Sequence, residues 1–322
     1  MNFKKIANLT AQDMRSVNKI INNQLNSKIP LISKLTYHIT NNGGKQLRPM
    51  IVILTAQALK YKKKQHITIA ALMELIHIAT LLHDDVIDKS NIRRGKKTAN
   101  TIFGNSASVL VGDFIYTKVL KILVTIKFPR ILQLISKTVH TIAEGEILQL
   151  TQRNNPNTTI KTYMEIIYKK TACLFEASAQ SSAILINATR NQELALRNYG
   201  RYLGFAFQLI DDMLDYNTNN KKLKQNIGND LNEGKATFPL LHSMQYGTKK
   251  QVSIIQKAIQ QGNNKLLEII LNTMHQYNSL EYTRQYANMQ AKKAITALEC
   301  LTPSPHLNAL KHLAYIIIHR DF

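Results

Sequence analysis

IAALMELIHIATLLHDDVID, residues 69–88, and YGRYLGFAFQLIDDMLDY, residues 199–216, decide the fold of this chain. Both are apolar on nearly every helical face, which marks helices wrapped by other helices rather than laid on a surface. Each closes in a knot of carboxylates: Asp84, Asp85 and Asp88 in the first, Asp211, Asp212 and Asp215 in the second. Helical residues four apart share a face about 6 Å along the axis. Asp84 therefore stands with Asp88, and Asp211 with Asp215. Like charges so placed repel, and an apolar neighbourhood adds a desolvation cost. A divalent cation offsets both. The donors are hard oxygens with no cysteine near either cluster, so magnesium fits better than zinc. Magnesium takes few protein carboxylates and completes its shell with water and substrate phosphates. Two such clusters could thus grip one diphosphate from opposite sides. A single cluster alone reads equally as a solvated helix end; two, each ending an almost wholly apolar helix, do not.

Outward from these stretches, helical periodicity dominates and alternating strand patterns are absent. With 12 Gly and 7 Pro in 322 residues there is little punctuation, so long helical tracts follow. Breaks are expected at residues 41–49, 61–66, 89–104, 152–159, 187–191, 217–234, 262–264 and 302–305. The expected architecture is an all-α, single-domain bundle over residues 1–322, large enough to bury a sizeable core.

Two basic clusters accompany the carboxylates. GGKQLRP, residues 43–49, is a glycine turn followed by Lys45 and Arg48. Glycines let backbone approach an anion, lysine brings a point charge and arginine a fork for phosphate oxygens. The same motif reads equally as a helix-starting turn with two surface cations. Arg93 and Arg94 follow the first cluster. The chain carries 42 Lys and Arg against 20 Asp and Glu, a net charge of +22. Such a field favours anions in general. The lysines are scattered through a Lys-, Asn- and Ile-rich sequence without interleaved aromatics, which argues for compositional drift and against a nucleic-acid platform. The two cysteines, Cys173 and Cys300, have no metal-type spacing. The N-terminus lacks a signal-like apolar core, and the apolar run at 67–82 is too short to span a bilayer, so no integral membrane segment is expected and the reading is cytoplasmic.

GGKQLRP, LIHIATLLHDDVIDKSNIRRGKKTAN, FGNSASVLVGDFIYTK, AEGEILQL, YKKTACLFEAS, YGRYLGFAFQLIDDMLDY and NDLNEGKATFPLLH together resemble the trans-polyprenyl diphosphate synthases, from about residue 35 to the C-terminus. The resemblance implies the isoprenoid synthase type of helical bundle with a central substrate and product tunnel. It implies condensation of isopentenyl diphosphate with an allylic prenyl diphosphate such as farnesyl diphosphate, to a long-chain product for a quinone side chain. Two or three Mg²⁺ ions are implied between the boxes, with Asp84, Asp88 and Asp211 as metal ligands. Lys45, Arg48, His77 and Arg94 match the isopentenyl diphosphate site. Arg93, Lys170, Thr171 and Gln208 match the allylic diphosphate site, with Lys235 a further phosphate contact; Asp84, Asp88, Asp211 and Lys170 are the catalytic set. Without the resemblance, His77 reads as a buried, satisfied histidine, and Lys170, Thr171 and Gln208 as ordinary helix polar groups. A homodimer through the FGNSASVLVGDF region is also implied.

One stretch departs from the family pattern. Where a glycine–lysine pair precedes glycine and two aspartates, this chain has Lys224, Gln225, Asn226, Ile227, Gly228, Asn229 and Asp230. Gln225 lacks the cation and Asn229 the carboxylate. Product length is expected to follow from packing below the first box. Ala79, five residues before Asp84, lies about 7.5 Å deeper along the helix. A bulky aromatic there would cap a growing chain, whereas alanine leaves space, with Leu123 and Ile135 as the deeper floor. Ala79 reads equally as a close helix–helix contact. A class I terpene cyclase would share the helical fold and metal-bound diphosphate, but the second DDxxD and GGKQLRP argue against it.

Overall fold

Helix caps and left-handed residues, more than glycine and proline, punctuate the chain. The computed structural model describes residues 1–41, 43–217 and 227–319. Among them are sixteen α-helices, one π-helical turn and one hairpin of two-residue strands. The fold is all-α, as the periodicity predicts. The chain forms two compact units: Met1–Ser136 with Ser178–Glu193 and Leu301–Ala309, and Lys137–Ala177 with Leu194–Cys300 and Leu310–Phe322.

The first unit contains α1 (Phe3–Leu25), α2 (Pro30–Asn41), α3 (Leu47–Ala58) and α4 (Gln65–Ile87). Then come β1 (Ile92–Arg93), β2 (Lys96–Lys97), α5 (Ala99–Phe103) and α6 (Asn105–Ile126). Helix α4 packs against α1, α3, α5 and α6. That explains why it is apolar all round: Ile69 to Ile76 are buried without interruption, including Glu74. By length and composition α4 could cross a membrane, but 72% of its most apolar window is buried inside the protein. Two buried hydroxyls of this unit are tied down. Thr55 donates to Ser182 Oγ at 2.8 Å, and Ser182 donates to the Val52 carbonyl at 3.0 Å.

The chain continues through α7 (Pro129–Gln152), α8 (Ile160–Ile167), a π-helical turn (Tyr168–Ala172), α9 (Cys173–Ile186) and α10 (Arg190–Leu214). It ends with α11 (Asn229–Asn232), α12 (Phe238–Tyr246), α13 (Lys249–Gln261), α14 (Leu267–Gln276), α15 (Ser279–Ala297) and α16 (Pro305–Ile318). The core of the second unit gathers Tyr163, Leu209, Ile210, Tyr216, Phe238 and Ile255. Phe238 lies against the rings of Tyr163, Tyr286 and Tyr282 at 5.7, 5.0 and 6.1 Å. Helix α10 starts nine residues before the apolar stretch at 199–216. Its first turns are amphipathic, and Arg201, Tyr202 and Phe207 remain partly exposed, so its burial is more one-sided than the all-apolar reading expects.

Most expected breaks coincide with helix ends. Four further breaks, near residues 26–29, 127–128, 247–248 and 277–278, are not expected from the sequence, because their composition signals are weak. Lys127 and Asn278 turn the chain in left-handed conformation, φ 51° each, a state that asparagine adopts readily and lysine seldom.

Candidate active site

Each carboxylate cluster lies within its own unit. In the first, the Asp88 N–H donates to the Asp84 carbonyl at 2.8 Å, so the helix persists through the box and the two side chains share a face. Both are half-buried. Asp85 points the other way. It is 3% exposed, and Arg93 donates to its Oδ1 through Nε at 2.9 Å and lies 2.8 Å away through Nη2. Burial pushes the Asp85 carboxyl upward, opposed by Arg93. The middle aspartate thus anchors Arg93, while Asp84 and Asp88 share a different, half-buried face.

Arg94 reaches the site by a different device. Strands β1 and β2 pair antiparallel, Ile92 with Lys97 and Arg93 with Lys96, around a two-residue turn. Its central residues, Arg94 and Gly95, have φ of 52° and 74°, the signature of the tight hairpin turn that matches strand twist. This hairpin is clipped to the end of α2. His38 Nε2 bonds to the Lys97 carbonyl at 2.8 Å, Lys96 donates to the Asn41 carbonyl at 3.1 Å, and Arg94 donates to the Gly43 carbonyl. A Cβ on Gly44 would lie 2.7 Å from Arg94 Nη1, so the glycine turn admits the guanidinium. Arg94 is thereby seated beside the GGKQLRP turn, which carries Lys45 and Arg48. The hairpin was not expected from the sequence, where strand signals are too short to register.

His77 lies on α4 within the field of Arg48, Arg93 and Arg94. Burial, reinforced by those three cations, holds its imidazole well below the usual range, so it is neutral at pH 7 and carries one ring N–H. One turn earlier stands Glu74, a residue that sequence reasoning passed over. It is 8% exposed, and its Oε2 has no hydrogen-bond partner among the described residues. Burial raises its pKa to about 7, opposed by Arg48 and Arg94. An acid inside an otherwise apolar helix, three residues before a histidine, was the available signal. Because the folded carboxyl holds its proton above the ordinary 4.5, its destabilising effect is absent below that pH and complete above 7. Stability from this group therefore falls as pH rises through that window. Glu74→Gln removes the fall: relative to the parent it gains up to about 3 kcal/mol between pH 5 and pH 8. Urea midpoints at the two pH values check this; a pH-independent difference would refute it.

The second box is built differently. The Asp215 N–H donates to the Asp211 carbonyl at 3.1 Å, so the helical register again holds. Asp211 is exposed. Asp215 is occupied: it accepts from the backbone N–H groups of Asn229 and Asp230, each at 3.1 Å, and so caps α11. Burial and Asp230 push its pKa upward, opposed by those two donors. The departure at Asn229 is thereby muted, because its backbone, not its side chain, makes this contact. Lys224, Gln225 and Asn226 lie outside the described residues. Lys235 pairs with Glu233 and lies 3.9 Å from Asp230.

Lys170 and Thr171 both sit in the π-helical turn, a widened turn often found at functional positions. Two glycines flank it. A Cβ on Gly145 would meet Lys170 N at 2.8 Å, and one on Gly204 would meet Ala172 Cα at 2.5 Å. Lys170 Nζ lies 2.8 Å from Glu146 Oε2. Thr171 donates to Gln208 Oε1 at 2.8 Å, and Gln208 Nε2 donates to Asp212 Oδ1 at 2.7 Å. Asp212 is buried and also accepts from the Tyr163 hydroxyl at 2.6 Å. The structure thus brings Lys170, Thr171 and Gln208 together. Glu146, Asp212 and Tyr163 are partners that only the fold reveals.

Among the described residues, no group of three or more His, Cys, Asp or Glu side chains forms a metal cage by itself. Two half-buried carboxylates on one helix face suit an ion that borrows the rest of its shell from phosphate, as magnesium does. The donor set therefore fits.

The polyprenyl synthetase family model matches residues 29–274. The chain belongs to the polyprenyl synthetase family. It is 54% identical over 322 residues to octaprenyl diphosphate synthase of Escherichia coli (strain K12), covering all of both chains. It is 37% identical to a geranyl-diphosphate-specific all-trans-nonaprenyl-diphosphate synthase of Rhodobacter capsulatus, over 96% of this chain and 95% of that protein. Among solved structures, a decaprenyl diphosphate synthase from Rhodobacter capsulatus superposes with a TM-score of 0.94 at 35% identity, covering 98% of each chain. A polyprenyl synthase from Caulobacter crescentus CB15, complexed with calcium and isoprenyl diphosphate, has the same score at 34% identity, covering 99% and 98%. The all-α fold is thus that of the isoprenoid synthases, and this polyprenyl synthetase is a prenyl-transferring enzyme, as the resemblance implies.

Proposed function

We propose that this polyprenyl synthetase adds isopentenyl diphosphate units to farnesyl diphosphate and releases an all-trans octaprenyl diphosphate for a quinone side chain. The observation that carries this reading is the pair of intact boxes, each continuing its helix with carboxylates on one face, beside cations held by separate local devices. Full-length similarity to an octaprenyl diphosphate synthase supports the chain length.

Asp84 and Asp88 on one helix, and Asp211 on the other, would hold Mg²⁺. When bound, magnesium supplies charge neutralisation for the diphosphate leaving group. Arg93, fixed by Asp85, and Lys170, fixed in the π-turn, bring cations to that same developing charge without reorganisation at the moment of reaction. Lys45, Arg48 and Arg94 bind the diphosphate of isopentenyl diphosphate, and neutral His77 adds one directional hydrogen bond. Thr171, Gln208 and Lys235 complete the allylic subsite. The new C–C bond forms as the alkene attacks the allylic carbon. The allylic C–O bond breaks to release diphosphate, and the tertiary cation left on the former isopentenyl unit loses a proton to that diphosphate, giving a longer allylic diphosphate with no protein nucleophile required. Positioning of both substrates does the remaining work. We place both units in one functional domain and the enzyme in the cytoplasm. The exposed apolar face of α6, with Leu110 67%, Leu120 61% and Val124 74% exposed, is where a second copy of the chain would form a homodimer; sedimentation velocity reads this directly.

Purified protein incubated with Mg²⁺, farnesyl diphosphate and labelled isopentenyl diphosphate is expected to yield a single long-chain product class. No elongation, or cyclised hydrocarbon instead, would overturn the reading. Ala79, Leu123 and Ile135 are all buried in the first unit, at 0%, 4% and 1% exposure, and we assign them to the apolar channel that receives the tail. In the same assay Ala79→Tyr is expected to stop elongation several units early. Unchanged product length from a folded variant would return Ala79 to simple helix packing.

A further inference from the structure

Tyr163 lies on α8 and is 4% exposed. Its ring packs against Phe238 at 5.7 Å, a contact that phenylalanine would keep. Among the described residues its hydroxyl has one hydrogen-bond partner: it donates to Asp212 Oδ2 at 2.6 Å. The other oxygen of that carboxyl accepts from Gln208 Nε2 at 2.7 Å, and Gln208 Oε1 accepts from Thr171 at 2.8 Å. The result is a continuous relay of four side chains, buried at Tyr163 and Asp212, from an apolar core to the π-turn. A phenol and a carboxyl placed in a core cost stability compared with apolar residues of similar size. A packing role alone would be filled more cheaply by phenylalanine. What the polar pair adds is direction: with both oxygens of Asp212 engaged, the Gln208 side chain is held in one rotamer and the Thr171 hydroxyl in one orientation.

We propose that Tyr163 is a positioning residue for the allylic diphosphate subsite, acting through Asp212 and Gln208 on Thr171. This rests on the assignment of Gln208 and Thr171 to that subsite. Tyr163 itself touches no substrate.

Steady-state kinetics of Tyr163→Phe, Gln208→Ala and the double variant, with farnesyl diphosphate and isopentenyl diphosphate varied separately, test the proposal. Tyr163→Phe is expected to raise KM for the allylic substrate ~10-fold and leave KM for isopentenyl diphosphate within about twofold. In the Gln208→Ala background the same change is expected to cost less than about twofold, because coupled residues are non-additive. An equal rise in both KM values, or full additivity, would make Tyr163 a packing residue and end the proposal. If Gln208→Ala itself leaves the allylic KM unchanged, the subsite assignment fails and the proposal falls with it. If Gln208→Ala acts and Tyr163→Phe does not, only the role of Tyr163 is lost. Should Tyr163→Phe not fold, as near-UV circular dichroism would show, Asp212→Asn breaks the same relay at its centre. It is expected to reproduce the selective rise in allylic KM, and its absence would be equally decisive.

Discussion

Asp84→Ala lowers condensation by about 10³-fold or more while the protein stays folded. Asp84 is half-buried at the end of α4 and shares its face with Asp88 through a helical backbone bond of 2.8 Å. Removing it leaves one carboxylate on that face, too few to hold an ion against a diphosphate that must leave as an anion. The fold is expected to persist because α4 is secured by its apolar contacts with α1, α3, α5 and α6, and removing one of two neighbouring negative charges relieves repulsion. Single-turnover rates and a melting curve together check the outcome. A folded variant that keeps a tenth of the parent rate would rule out Asp84 as a metal ligand. The contrast with Asp85 sharpens the test. Asp85→Asn loosens the grip on Arg93, so its loss is expected to appear mainly as weaker allylic binding.

Gly204→Ala is the second large effect. The added methyl would lie 2.5 Å from Ala172 Cα, 2.8 Å from Ala172 Cβ and 3.2 Å from Phe175 Cβ. The nearest obstacle is backbone, so no flexible side chain can move aside. Helix α10 and the π-turn must separate, at about 1–3 kcal/mol. Thr171 precedes the displaced Ala172, and Lys170 precedes Thr171. A shift near 1 Å in those two costs about 10²-fold in rate. Melting temperature and kcat/KM for farnesyl diphosphate are both expected to fall, whereas KM for isopentenyl diphosphate changes little. Parent-like kinetics in a folded Gly204→Ala variant would show that the π-turn position does not control the allylic subsite.

Much of the site was legible in advance, and the reason is local. Asp84 with Asp88 on one face follows from helical geometry alone, as does the turn that places Lys45 and Arg48 at the start of α3. Arg93 and Arg94 were visible as cations but not as opposites. One, itself part-exposed, is paired with the buried Asp85, and the other is turned outward at φ 52° to meet Gly43. That division depends on a two-residue hairpin too short to leave a periodic signal. Glu74 was hidden by its apolar neighbours, and Lys170 looked like any surface lysine because its partner Glu146 lies on α7.

By itself the sequence determined which segments are helical, where the carboxylates end them, which of those carboxylates share a face, and the family. Each follows from bonds and side-chain spacings spanning a turn or two, or from motif residues in fixed order. Tertiary structure alone decided that Asp85 holds Arg93, that Asp215 caps α11, that Lys170 and Thr171 ride a π-turn between two glycines, and that Tyr163 reaches Asp212. Those pairings join residues distant along the chain or bend it off its regular period. They exist only once core burial has selected which helix faces meet, because close-packed interiors accept few alternatives.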